Sequence, residues 1–358
     1  MIELIINKSM DVQSRYDLIA KNLVEVLGDK EEMKKIISQR PLKIYWGTAP
    51  TGTIHIGYLL PMLKIADFID ANCEVTVLLA DIHATFDNLK STPEQVKYRT
   101  NYYETMIIQL ANILQIDITK LRFVKGSDFQ YNKDYVNDVY KSQTIVKVND
   151  AKHAGSEVVK QTENSTMSSL LYPSFQSLDL PYLNCDAFAG GLDQRKIAVF
   201  SQSLLPKLGY AKGFYLLNPM LPSLSKTANS SGKMSASDQS SKIDLLDEPK
   251  DIKKKISACY CLPGNIDDNN LLVFARSVIF PILGRMTTRF TINRPEKYGG
   301  ILTYDSYQTL EDDFREEKLH PIDLKLGISD HLTTFLDPLR KVFKQDEFRD
   351  ILAKAYQS

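Results

Sequence analysis

Three short groups of residues have types and spacing that could do chemistry. The first is the stretch YWGTAPTGTIHIGY, Tyr45–Tyr58, which sets Gly47, Gly52 and Gly57 around Pro50 and places His55 where a helical pattern begins. Glycine lets a ligand approach bare backbone, and a helix start offers free N–H groups and partial positive charge to phosphates. The second is Lys233-Met234-Ser235-Ala236-Ser237, inside the serine-rich run SLSKTANSSGKMSASDQSS. That run offers little to bury and reads as a mobile loop carrying Lys233 and, earlier, Lys226; composition alone would make it a linker. The third is Tyr172, Gln176 and Asp179, spaced i, i+4 and i+7 on one helix face, while Leu171, Phe175 and Leu178 fall on a neighbouring face. One face can pack while the other presents a phenol, an amide and a carboxylate. Each group has a bland reading: a lone histidine at a helix start is more often a cap or core residue, and a polar helix face is more often wet. The loop also fits neither GxxxxGK[ST] nor GxGxxG.

These residues need elements to hold them. Leu42–Trp46 reads as a buried strand running into the opening loop, followed by a helix through Ala71, a strand at Glu74–Ala80, a long helix at Pro93–Gln115 and a short strand at Leu121–Lys125. Residues 10–38 carry apolar positions at helical spacing. After a mainly helical stretch, about 132–180, the alternation resumes with a strand at Tyr182–Phe188, a helix at Asp193–Leu208 and a strand at Phe214–Leu217. The fold class is therefore α/β: a Rossmann-type parallel sheet interrupted by a helical insertion. From Asp247 the pattern turns α-helical, at 248–260, 269–283, 306–318 and 321–343, with one hairpin near Arg289–Thr303. The expected division is 1–222 for the sheet domain, 223–246 for the serine-rich loop and 247–358 for a helical domain. In an open parallel sheet ligands bind beyond the C-terminal strand ends, where the opening loop lies.

Composition neither demands nor excludes a nucleic-acid partner, because Lys plus Arg and Asp plus Glu stand at 44 each. The four cysteines, Cys73, Cys185, Cys259 and Cys261, form no CxxC pair and no zinc spacing, so the expectation is reduced thiols in a cytoplasmic protein with no metal site. No segment reaches the ~20 apolar residues of a membrane span. The acidic residues Glu3, Asp11, Asp17 and Glu25 argue against a presequence.

In this order, HIGY and KMSAS resemble the HIGH and KMSKS motifs of class I aminoacyl-tRNA synthetases. The chain is more closely similar to tyrosyl-tRNA synthetases of the archaeal and eukaryotic type, through YWGTAPTGTIHIGY, LLADIHATFDN, LLYPSFQSLD, FAGGLDQRKI, KMSAS, EKYGG and LHPIDLK. The resemblance implies activation of L-tyrosine by ATP with Mg2+, then transfer to tRNA(Tyr), by a homodimer with no membrane and no tightly bound cofactor. It assigns catalysis to His55 and Lys233. It assigns tyrosine binding to Tyr45, Tyr172, Gln176, Asp179 and Gln194, and ATP binding to Gly47, His55, Gly57, Gly191, Asp193, Lys233, Met234, Ser235 and Ser237. Anticodon contacts fall to Tyr298 and Asp323. No appended module is expected beyond the helical domain.

The chemistry agrees with these residue types. When a carboxylate attacks the α-phosphate of ATP, the protein mainly positions reactants and stabilises spreading charge, so cations and N–H donors serve better than a nucleophile. A buried Tyr45–Asp179 pair suits a phenol, since phenylalanine would leave both unpaired. Splayed bases are read by stacking and edge hydrogen bonds, which Tyr298 and Asp323 could provide. Lys141, Lys147, Lys152, Lys160, Lys250 and Lys253–Lys255 are candidate phosphate contacts. Two departures from the family stand out: Tyr58 replaces the final histidine of HIGH, and Ala236 replaces the second lysine of KMSKS. Rival readings are a tryptophanyl enzyme, a synthetase-like RNA-binding protein without catalysis, and a small-molecule nucleotidyltransferase.

Overall fold

The computed structural model describes residues 10–86, 92–159, 166–224 and 242–356. Lys233, Met234, Ser235 and Ser237, together with Lys226, Ala236 and Lys160, lie outside the described residues.

A six-stranded sheet carries the alternation. It comprises β1 (Glu25–Leu27), β2 (Lys43–Thr48), β3 (Glu74–Leu79), β4 (Leu121–Lys125), β5 (Ala187–Gly191) and β6 (Phe214–Asn218), in the order β1-β6-β5-β2-β3-β4. The pairs β2–β3, β2–β5, β3–β4 and β5–β6 are parallel, and only β1 runs antiparallel, against β6. The doubly wound order puts β2 and β5, the strands leading to Gly47 and Gly191, side by side at the centre.

Sequence periodicity missed β1. The stretch 10–38 is two helices, α1 (Val12–Ala20) and α2 (Lys30–Gln39), separated by that edge strand; Asp11 and Asp29 cap them by accepting the Ser14 and Glu32 N–H groups. The helices α3 (Leu59–Asp70), α4 (Asp81–Phe86) and α5 (Pro93–Ile113) follow. The insertion comprises α6 (Lys133–Ile145), α7 (Val148–Gly155) and α8 (Met167–Tyr182), and α9 (Arg195–Leu204) leads from β5 toward β6.

The strand expected from Tyr182 begins only at Ala187. Tyr182 is the last residue of α8, and the chain turns through Asn184 at a left-handed φ of 53°, with the Cys185 N–H returned to the Leu180 carbonyl. α8 opens well before Pro173. Thr166 is the N-cap and Pro173 sits inside, where its missing N–H removes one helical bond.

The helical region contains α10 (Pro249–Ser257), then α11 (Asn270–Phe274), which passes through a π turn into α12 (Phe280–Arg285), then α13 (Tyr307–Arg315), α14 (Pro321–Phe343) and α15 (Asp346–Tyr356). The hairpin is β7 (Phe290–Ile292) with β8 (Leu302–Tyr304). α14 buries Leu324, Ile328, Leu332, Leu336 and Leu339 at i, i+4, i+8, i+12 and i+15, the stripe of a core helix.

The chain divides into two compact units. One comprises residues 1–51, 65–104 and 117–220 and contains the sheet and the insertion; the other comprises 52–64, 105–116 and 221–358 and contains the HIGY segment with α10–α15. Among the described residues no helix is long and apolar enough to cross a membrane, and no disulfide joins the four cysteines. Burial pushes the Cys185 thiol up to about 11 and the Cys259 thiol up to about 12, which keeps both protonated at neutral pH.

Candidate active site

In the sheet-bearing unit, the residues expected to bind an amino acid gather beyond β2, around α8. Asp179 is 1 % exposed. Its Oδ1 accepts the Gln130 side-chain amide at 2.6 Å and the Tyr135 hydroxyl at 3.2 Å, and its Oδ2 lies 3.7 Å from His83 Nε2. Burial raises the Asp179 pKa to about 8, against the opposing pull of the Gln130 and Tyr135 hydrogen bonds. Burial also lowers the His83 pKa to about 4. At neutral pH the 3.7 Å contact is therefore not an ion pair, and it is too long for a hydrogen bond.

Tyr45 is buried beside this carboxyl, and burial followed by the Asp179 charge holds its phenol well above the usual value. It is thus a neutral donor, giving its O–H to the Gln176 carbonyl at 3.3 Å. The Gln176 side-chain amide donates to Gln194 Oε1 at 3.0 Å, and Gln194 donates on to Asp193 Oδ1 at 3.4 Å. Tyr172 meets the His83 ring edge to face, with centroids 4.8 Å apart. All five residues expected to contact tyrosine thus belong to two short strings of polar and ring contacts, one running from Tyr45 to Asp193 and the other from Tyr172 through His83 to Asp179.

Three participants had no site role in the sequence reading: Gln130, Tyr135 and His83. Gln130 and Tyr135 follow β4, and His83 follows β3, so the rule that ligands bind past the C-terminal strand ends is the signal that points to them. Among the described residues neither His83 nitrogen nor Gln130 Oε1, all buried, has a hydrogen-bond partner, an uncommon arrangement in a finished core. Asp81, by contrast, is occupied structurally, accepting the Ile82 and Ser127 N–H groups and the Ser127 hydroxyl. A pocket of about 430 Å³ lined by Lys43, Glu74, Thr76, Arg122 and Cys185 opens at the opposite, N-terminal strand ends.

Gly47 is the penultimate residue of β2 and Gly191 the last of β5. A Cβ on Gly47 would make only ordinary contacts, the nearest 3.6 Å from Leu78. At Gly191 a Cβ would come within 2.7 Å of both Asp193 Oδ1 and Met220 Sδ, so the glycine is what lets Asp193 fold back over the strand end. Asp193 sits in the first turn of the short 3-10 helix that follows, Leu192–Gln194.

In the other unit, His55 is the N-cap of a 3-10 turn, Ile56–Tyr58, that leads into α3. Its Nδ1 accepts the Gly57 N–H at 3.1 Å, and a Cβ on Gly57 would fall 2.6 Å from the ring. The close approach that Gly57 permits is thus first of all that of His55 itself. Burial, then the nearby Lys242 charge, lowers the His55 pKa to about 4, with Asp244 opposing. A neutral ring that accepts at Nδ1 carries its proton on Nε2, a fixed donor suited to phosphate oxygen. Tyr58, in place of the family's second histidine, packs its ring edge to face on His55 at 5.5 Å.

Tyr298 lies in the 3-10 turn Glu296–Tyr298 of the β7–β8 connection and is 63 % exposed. Asp323, in the first turn of α14, accepts Arg294 Nη1 at 3.2 Å, while Arg294 Nε donates to the Gly300 carbonyl at 3.0 Å. One guanidinium therefore ties the Tyr298 turn to the Asp323 helix. Of the candidate phosphate lysines, Lys141 and Lys255 are paired with Asp138 and Asp247.

Residues 37–337 match the family of class I tRNA synthetases (W and Y). The chain belongs to that family. It is 48 % identical over 355 residues to the cytoplasmic tyrosine–tRNA ligase of Saccharomyces cerevisiae, covering 97 % of this chain and 89 % of the yeast protein. It is 47 % identical over 344 residues to the cytoplasmic tyrosine–tRNA ligase of Xenopus tropicalis, covering 96 % of this chain but 63 % of that protein, so the chain spans less than two thirds of the length of this longer relative. Among solved structures, the tyrosyl-tRNA synthetase of Pyrococcus horikoshii complexed with L-tyrosine superposes with a TM-score of 0.88 at 28 % identity, covering 98 % of this chain and all of that one.

Proposed function

We propose that the chain is a cytoplasmic tyrosine–tRNA ligase, which activates L-tyrosine with ATP to tyrosyl-adenylate and pyrophosphate and transfers the tyrosyl group to tRNA(Tyr). The observation that carries this reading is the fully buried carboxyl of Asp179 beside the buried phenol of Tyr45. A family that handles both tryptophan and tyrosine needs something to choose between them, and a neutral donor next to an acceptor fits a phenolic O–H better than an indole N–H. The yeast and Xenopus relatives, both tyrosine–tRNA ligases, support the same choice.

In this proposal Tyr45 and Asp179 take the substrate hydroxyl, while Tyr172, Gln176 and Gln194 hold its amino end and orient the carboxylate. His55 and Lys233 meet the phosphates of ATP, which enters as its Mg2+ complex. Gly47, Gly57, Gly191, Asp193, Met234, Ser235 and Ser237 line the nucleotide's path, with Asp193 on a ribose hydroxyl. His55 donates from Nε2, and Lys233 supplies the one cation of its motif, so charge spreading over the phosphate oxygens meets donors already in place. Residues 1–222 would form the catalytic domain, with the connective insertion at about 132–180; 223–246 carry the KMSKS-type segment; and 247–358 form the anticodon-binding domain, reading tRNA with Tyr298 and Asp323. A homodimer built on the insertion is favoured by its exposed apolar side chains, Tyr140, Val148 and Met167.

The test is charging. With ATP, Mg2+ and a tRNA(Tyr) transcript, labelled tyrosine should become acid-precipitable on the tRNA, and phenylalanine and tryptophan should not. A tRNA that accepts no tyrosine would overturn the reading.

A further inference from the structure

The HIGY segment is held from a place that neither motif contains. Lys242 lies just beyond the KMSAS run, and its side chain is 3 % exposed. Its ammonium donates to the Thr53 hydroxyl and lies 3.4 Å from Asp244 Oδ2. Around it the two chain segments pair: the Ile56 N–H donates to the Ile243 carbonyl at 3.0 Å, the Leu245 N–H donates to the Ile54 carbonyl at 3.1 Å, and His55 and Asp244 form an antiparallel bridge. The pairing partner is itself anchored, because Asp247 Oδ2 accepts both the Asp244 N–H at 2.9 Å and Lys255 Nζ at 2.6 Å. On the other side of the segment the Tyr356 hydroxyl donates to the Gly52 carbonyl at 2.8 Å.

We propose that Lys242 is a positioning residue for the ATP-handling step: clamped between Thr53 and Asp244, its ammonium fixes the backbone of residues 53–57 and so the aim of the His55 ring. The inference rests on the ligase reading above, since it takes His55 to face ATP. Among the described residues the buried ammonium has one hydroxyl and one carboxylate for company, which is costly to keep, and an apolar side chain would serve a purely structural joint at least as well. What the ammonium adds is a fixed positive charge beside His55. Among the described residues the charged groups acting on that ring are Lys242 and Asp244, with the Tyr58 ring against it; burial and then Lys242 keep the imidazole neutral, and Asp244 works against both. A neutral ring keeps Nδ1 available to the Gly57 N–H, and protonation there would break that bond and release the ring. Because Ala236 stands where the family has its second lysine, Lys242 would supply a cation outside the motif.

The experiment compares the wild type with Lys242→Met, which keeps length without charge, and Lys242→Arg, which keeps charge. ATP–pyrophosphate exchange is measured from about pH 5 to pH 8, together with amide hydrogen exchange of the peptide covering residues 47–60. The methionine variant should lose about tenfold or more in kcat, with the KM for tyrosine within about twofold of wild type. Its acid limb should move to higher pH, and the 56 and 57 amides should exchange about tenfold faster. The arginine variant should recover most of the rate and the original acid limb. A methionine variant with unchanged kcat and an unmoved acid limb overturns the proposal, and so does an equal loss in both variants with a raised tyrosine KM. Should the wild type exchange no amino acid, the ligase reading fails by itself; unchanged protection of residues 56 and 57 in the methionine variant would then overturn the clamp separately.

Discussion

Gln130 donates its side-chain amide to the Asp179 carboxyl at 2.6 Å, on the same oxygen that accepts from Tyr135. Both donors are thus spent on Oδ1. Oδ2 is left facing His83, and a proton on Asp179 belongs there. Asp179→Asn keeps the acceptor for Gln130 and Tyr135 but replaces the site that can take a phenolic proton. Activation assays with tyrosine and phenylalanine should show the preference for tyrosine falling by about one to two orders of magnitude, the cost of leaving one buried polar group unmatched. An unchanged ratio would remove Asp179 from tyrosine recognition.

The same substitution has a stability consequence of definite sign. The folded pKa of about 8 lies above the ordinary 3.8, so the folded state binds the extra proton and wild-type stability from this group falls as pH rises through that window. Ligand-free Asp179→Asn should therefore gain in melting temperature relative to wild type from about pH 4 up to about pH 8, and the gain should level off above it. Tyrosine should also displace the proton if the carboxylate accepts its O–H. Calorimetric titration at neutral pH in buffers of different ionisation enthalpy should then show proton release with wild type and none with the asparagine variant.

His55 and His83 titrate the other way. Each has a folded pKa of about 4 against the ordinary 6.5, so each contributes stability that is present above 6.5 and lost as pH falls toward 4. In that window Asp179 offsets one of the two. The melting temperature should decline from about pH 6.5 to pH 4.5, and His83→Leu, which removes a buried imidazole whose nitrogens have no hydrogen-bond partner among the described residues, should flatten the decline. A leucine variant with the wild-type slope would show that His83 is not buried as a neutral ring.

Asp323→Ala and Tyr298→Ala separate RNA recognition from amino-acid activation. Each should leave tyrosine-dependent pyrophosphate exchange within about twofold of wild type and lower kcat/KM for tRNA charging by about tenfold or more. Because Arg294 bridges Gly300 and Asp323, Arg294→Met should weaken charging in the same way. Equal losses in exchange and charging would contradict the separation.

Much of this arrangement was legible in the residues. Four of the five parallel strands announce themselves as short apolar runs, while β5 overlaps its expected run only at Ala187 and Phe188; Tyr172, Gln176 and Asp179 declare one helix face by spacing alone. What stayed hidden depends on contacts between distant segments. β1 is three residues long and gains its strand character only from pairing with β6, so helical periodicity swallowed it. Gln130 and Tyr135 look like an ordinary loop and an ordinary helix turn until the buried carboxyl appears beside them. Gly57 was read as room for a ligand, whereas the His55 ring comes first to that space. Lys242 carried no motif at all; only the pairing of 243–245 with 54–56 gives it a role.

The central claim is selection of tyrosine for activation, and ATP–pyrophosphate exchange on the purified chain without tRNA tests it most directly, with tyrosine, phenylalanine and tryptophan assayed separately. Exchange with tyrosine and none above background with the other two is the predicted result. Exchange led by tryptophan, or none with any of the three, would contradict it.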